Sequence, residues 1–317
     1  MKEQEATLES MNQSIQILEH RYNVGELPNE SVLASTYIMR GSTYAGNGMF
    51  DQSVLDLNKG IKILEQMRGE EKDVDKSTLF KAYIMRGMVR NHMAEYMDEA
   101  ISDYGEGIKI AKELEKDNKP IDKNDIINVY AGFGKSYEQK ENFQESNKYY
   151  NKSIEILEQL LNEGKGSQDN IESLSTAYMS RGANHFSLAE NDKALSDYNK
   201  CIAIREQLQK IGVEQDIFDV FMAYNNRSQS HRANGNLGAA IKDNIIALRA
   251  LKEAFIEHSE LQAVYYNILK ETIELAANKN DKTLHNSVIQ EFLYSMRTVS
   301  KTKEAAAAQD NILDQLN

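Results

Sequence analysis

Arginine and aspartate recur in step along this chain. Arg40, Arg86, Arg181 and Arg227 each precede a small residue, and Asp56, Asp103, Asp197 and Asp243 follow them sixteen or seventeen positions later. Two kinds of chemistry could use such a set. A ladder of guanidinium groups could bind anions, or each arginine could hold its aspartate in a two-pronged, charge-assisted hydrogen bond. The third repeat of the pattern decides between them: Phe133 stands where the arginine belongs and Tyr149 where the aspartate belongs. An anion ladder has no reason to lose acid and base together, so the joint loss predicts structural ion pairs.

Other candidates for chemistry fail on their neighbours. The six histidines are accompanied by no HExxH, CxxC or clustered carboxylates, so no metal is expected. His185 and His231 share an aromatic core slot with Tyr44 and Tyr137, which predicts packing. Cys201 is the single cysteine and shares its slot with Gly60, Gly107, Ser153 and Ala247, the place of a small buried residue. The glycines at 46 to 48 follow no strand, and no serine has the surroundings of a nucleophile elbow. The expectation is a protein that is not an enzyme and binds no cofactor.

What must position the pairs is a repeated hairpin. Tyr37, Tyr83, Tyr130, Tyr178 and Tyr224 recur every 46 to 48 residues, each four before Gly41, Gly87, Gly134, Gly182 or Ser228. Nine positions later come Phe50, Tyr96, Phe143, Asn191 and Leu237, and soon after them Ser53, Ala100, Ser146, Ala194 and Ala240. Two helices and a tight turn fit these offsets, with small residues where backbones approach. Asn29, Asp75, Asp122, Asp169 and Asp216 are predicted caps, each worth about 1 kcal/mol, and Gly69, Gly164 and Gly212 predicted helix ends.

The order aromatic, small, aromatic, small resembles the tetratricopeptide repeat, best in Tyr178, Gly182, His185, Ala194, Tyr198 and Cys201. The likeness covers roughly 29 to 257, with a period longer than the family's 34 and prolines only at Pro28 and Pro120. A long-helix variant follows: an all-α, right-handed α-solenoid of stacked antiparallel hairpins. Its expected divisions are a half-repeat helix over 1–28, five repeats over 29–74, 75–121, 122–168, 169–215 and 216–257, a degenerate pair over 258–300, and a tail helix or frayed end over 301–317.

The resemblance also implies a concave, partner-binding face lined by first helices. In the first two repeats that face would carry Ile38, Ser42, Ile84, Met88, Asn91 and His92; in the third, Lys135, Glu138 and Gln139. In the last two it would carry Met179, Phe186, Asn225, Gln229 and Arg232. Family members that clamp a chaperone's terminal carboxylate need lysine and asparagine where Ile38, Ser42, Ile84 and Met88 stand, which disfavours that role.

A net charge of −12 argues against nucleic acid and anionic membranes as partners. The amino-terminal MKEQEATLESMNQ contains no apolar run, and no stretch of about 18 apolar residues occurs, so a cytoplasmic location is expected. The function expected is a non-catalytic protein- or peptide-binding scaffold. The alternatives are a peptide-responsive sensor, similar to Rap-type regulators but without a DNA-binding domain, and a self-assembling structural protein; monomer and homo-oligomer both stay open.

Overall fold

The computed structural model describes residues 2–26, 30–257, 259–279 and 288. The described residues form twelve α-helices and no strands. By contacts the chain divides into two compact units, Met1–Gln159 and Leu160–Asn317.

In the first unit, α1 (Lys2–Asn23) packs on α2 (Glu30–Gly46), which forms a hairpin with α3 (Phe50–Gly69). The next hairpin is α4 (Lys76–Arg90) with α5 (Met97–Lys116), followed by α6 (Lys123–Gln139) and α7 (Phe143–Asn162), whose last turn crosses the division. Here α3 packs on α4 and α5 on α6, and α2, α4 and α6 touch in series. The second unit repeats the scheme: α8 (Gln168–Ser187) with α9 (Asn191–Lys210), then α10 (Ile217–Ala233) with α11 (Leu237–Glu257), closed by α12 (Ser259–Lys279) on α11.

In the second, third and fourth repeats the small residue is explained by a ring lying against it, and in the first Gly41 makes room for Leu57. A Cβ added at Gly87, Gly134 or Gly182 would stand 2.8 Å from the side chain of Tyr104, Tyr150 or Tyr198. All three tyrosines are buried on the second helix of the same repeat. In the fifth repeat Ser228 fills the slot and donates to the Ala240 carbonyl at 2.9 Å.

Asp75, Asp122 and Asp216 cap α4, α6 and α10, accepting from the amides of Ser77, Asn124 and Phe218. Asp169 does not cap α8. Ser167 does, in a reciprocal capping box with Asn170, and α8 therefore begins before Asp169 because that pair satisfies two otherwise free amides. Gly164 and Gly212 take positive φ, whereas after Gly69 the left-handed residue is Glu71. Asn29, the second member of the degenerate pair apart from the buried Val288, and the 301–317 tail lie outside the described residues.

Candidate partner-binding surface

The arginines are consumed within the fold. Nε and Nη2 of Arg40 donate to the two oxygens of Asp56 at 2.6 and 2.7 Å, and Arg181–Asp197 and Arg227–Asp243 repeat the fork at 2.6 to 2.8 Å. Arg86 donates to Asp103, which also receives Arg90 at 2.6 Å. The third nitrogen reaches backwards: Nη1 of Arg40, Arg86 and Arg227 donates to Asn12, Asn58 and Asn199 on the preceding helix. Each of these arginines thus ties its own hairpin and links it to the one before. The marker tyrosines add a second link, Tyr37, Tyr83 and Tyr224 donating to Glu19, Glu65 and Glu206. Burial foremost, and these carboxylates next, push the three phenols above their ordinary range.

In the third repeat an aromatic stack replaces the fork. Phe133 lies on Tyr149 at 4.3 Å between centroids, and Tyr137 on Tyr149 at 5.5 Å. His185 and His231 depart from the packing expectation. Both are half-buried, and their rings face the paired carboxylates of Asp197 and Asp243 at about 4 Å, His185 also sharing a 2.6 Å hydrogen bond with Glu190. The slot beside an arginine–aspartate fork favours a polar ring.

Several residues expected on the concave face are core instead. Ile38 and Ile84 are buried, Ile38 pressed against Gly60. Asn91 lies past the end of α4 and turns inward, donating to Tyr104 Oη and the Gly132 carbonyl and accepting from Ser136 Oγ. Gly132 leaves the room for this: a Cβ there would stand 2.3 Å from the Tyr104 ring. Three positions before the small marker residue, the two isoleucines pack on the second helix of their own hairpin, Ile38 on Gly60 and Ile84 on Gly107.

Of the others in the first unit, Met88, His92, Lys135 and Gln139 are exposed, and Ser42 and Glu138 are half-buried. His92 stacks on Phe50 at 5.0 Å, and burial with help from the Lys135 charge lowers its pKa. Burial raises the pKa of Glu138, although Tyr150 donates to it at 2.8 Å. Gln139 donates to the Asn91 carbonyl.

In the second unit Met179 and Phe186 are half-buried, and a concavity lies between α10 and α12. It encloses about 460 Å³. Phe221, Leu251, Leu261 and Ile268 make a buried floor; Phe218, Met222, Asn225 and Gln229 form the α10 wall, Val264, Asn267 and Glu271 the α12 wall. Phe218, Met222 and Val264 are large apolar groups 47%, 40% and 39% exposed. Arg232 pairs with Glu271. The α10 wall runs i, i+4, i+7, i+11, about 16 Å of one helix face.

Sequence reasoning reached Asn225, Gln229 and Arg232 but missed Phe218, Met222 and the α12 wall. Counting inner positions from three before Ser228 skips the first half of α10, and α12 has no marker residue. The stripe of Phe218, Met222, Asn225 and Gln229 was the available signal.

Among known proteins, the family model of the tetratricopeptide repeat matches residues 127–158. No curated protein matches the sequence. Among solved structures, the apo form of RapI is similar over 99% of this chain and 81% of its own, with a TM-score of 0.61 and 14% identity. A Signal Transduction ATPase with Numerous Domains from Pyrococcus horikoshii, carrying a tetratricopeptide repeat sensor, is similar over 94% of this chain and 43% of its own, TM-score 0.60 and 15% identity. BtubC from P. vanneervenii is similar over 78% and 90%, TM-score 0.58 and 16% identity. Such identities speak for the fold.

Proposed function

For a chain of tetratricopeptide-repeat fold with one repeat matched in sequence, we propose a non-catalytic role as a protein- or peptide-binding scaffold, with the α10–α12 groove as its docking site. The observation that carries this reading is the groove's composition: exposed Phe218, Met222 and Val264 beside the amides of Asn225, Gln229 and Asn267. Apolar side chains of a peptide can fill the former while its backbone is met by the latter.

Peptide phage display on the immobilised full chain tests it, with the Met222→Glu/Val264→Glu variant as counter-selection. Peptides enriched on the parent and lost on a variant with an unchanged melting curve are expected. No enrichment, or equal enrichment on both, ends the proposal.

A second reading, a peptide-responsive sensor, is favoured by one feature: the walls are two separate helices, α10 and α12, that both pack on α11, so a ligand would set their separation. Small-angle scattering with and without a selected peptide reads this directly, and an unchanged radius of gyration retires the sensor.

A further inference from the structure

The hairpins of the first unit show what a first helix rests on. α2 touches its own partner α3 and the next first helix α4, and α4 touches α5 and α6 in the same way. On the second helix the support is a small slot: a Cβ at Gly60 would meet Ala34 and Ile38 of α2, and one at Gly107 would lie against Phe80 and Ile84 of α4. On the next first helix it is a stripe that lies nine before, two before and two after the small marker. In the third hairpin that stripe is Asp125, which pairs with Lys81 of α4, and Gly132 and Ser136, which both bond Asn91 at the end of α4.

α1 and α2 repeat both parts of this support, and among the described residues their copy of it is open. Ser14 stands in the slot of Gly60 and Gly107 and is exposed. Ile17, three positions further on, is 62% exposed, whereas Ile63 and Ile110 at the same place are buried. The α2 stripe is Val32, Met39 and Thr43, with Val32 48% and Met39 58% exposed. Thr43 Oγ1 donates to Met11 Sδ at 4.0 Å, so the stripe adjoins α1. A repeat that ends in water presents a polar outer face. Three large apolar side chains along one groove instead form a contact surface.

Charge says what would cover it. Arg21 occupies the slot in which Met67, Leu114 and Leu208 are buried, yet it is exposed. It lies in the last turn of α1, the end that an antiparallel helix meets with its first turn. An acidic first turn fits there, and acid also suits the positive end of a helix dipole.

We propose that the groove between α1 and α2 docks an amphipathic helix of a partner protein, laid antiparallel to α1 in the register of a first helix and bearing an acidic first turn. An apolar pair four residues apart would cover Ser14, as Ala34 and Ile38 cover Gly60. The proposal draws on none of the observations behind the α10–α12 groove.

The probe that tests it is the α2 sequence, residues 30–46, as a synthetic peptide stapled into a helix, because so short a free helix is marginal in water. It carries the Ala34 and Ile38 pair and has Glu30 in its first turn. Fluorescence anisotropy with the full chain should show binding, weakened about tenfold or more by Ile17→Glu or Met39→Glu. Arg21→Glu should weaken it too, and Glu30→Lys in the peptide should restore it. The proposal is overturned if the peptide does not bind, if Ile17→Glu and Met39→Glu proteins with unchanged melting curves bind as the parent does, or if Arg21→Glu has no effect. It also falls if light scattering shows the parent to be a dimer that Ile17→Glu dissolves, since a second copy is then the occupant. Met222→Glu should leave this binding unchanged, so failure here and failure of the α10–α12 groove are separable.

Discussion

At the scale of single residues, a side chain's partners decide what its charge is worth. Asp243 is buried and held by both prongs of Arg227, which also reaches Asn199. Removing one member of a buried pair leaves an uncompensated charge, at a cost of about 3–5 kcal/mol. Asp243→Ala should therefore lower stability by that order, with Arg227→Ala adding little on top. Denaturant melts of the two single variants and the double variant check this, and additive losses would refute the coupling. Glu138 behaves differently because burial raises its pKa. Its folded state prefers the neutral acid, so stability present below the unfolded carboxyl value of about 4.3 is lost as pH rises through the raised folded value. Glu138→Gln keeps an acceptor for Tyr150 and cannot ionise. It should melt with the parent near pH 4 and above it at pH 7, and a constant difference across that range would contradict the assignment.

At the scale of helices and turns, most of the architecture was written in offsets. The five tyrosines and their small partners located the hairpins, and in the second, third and fourth repeats the missing side chain at the small position admits the ring of Tyr104, Tyr150 or Tyr198. Gly182 should not tolerate even a methyl: its Cβ would meet the buried Tyr198 ring at 2.8 Å, whereas nothing lies within 4 Å of one at Gly46. Gly182→Ala should cost about 1–3 kcal/mol through overpacking, and Gly46→Ala should be neutral or stabilising by up to about 1 kcal/mol. Equal melting temperatures for the two would show that the ring contact does not set the spacing. Boundaries were less legible than registers. Asp169 and Ser167 both have capping side chains, and only the reciprocal bond from Asn170 selects the earlier start. The links from Arg40, Arg86 and Arg227 to Asn12, Asn58 and Asn199 share a constant offset of 28, yet they join different hairpins, so no pattern within one repeat exposes them.

At the scale of the whole molecule, the candidate surface was half legible for a reason that bears on how it would bind. Repeat registers name positions facing inward, but exposure depends on how close the neighbouring helix comes, which buries Ile38, Ile84 and Asn91 and leaves Phe218 and Met222 open. The chain carries a net charge of −12, and such a surface attracts basic peptides anywhere on it. Adhesion of that kind weakens steeply with salt, since the screening length falls from about 10 Å at 0.1 M to about 3 Å at 1 M. The groove is another matter: among the described residues Glu271 is the one charged residue lining it, and Arg232 already pairs with it. Apolar burial on Phe218, Met222 and Val264 does not depend on ion screening. Peptides selected on the α10–α12 groove should therefore change affinity by less than about twofold between 0.1 and 1 M salt. Fluorescence anisotropy across that range checks it. A tenfold or greater loss would mean that the peptides are held by the acidic surface at large, and the groove would no longer account for their binding.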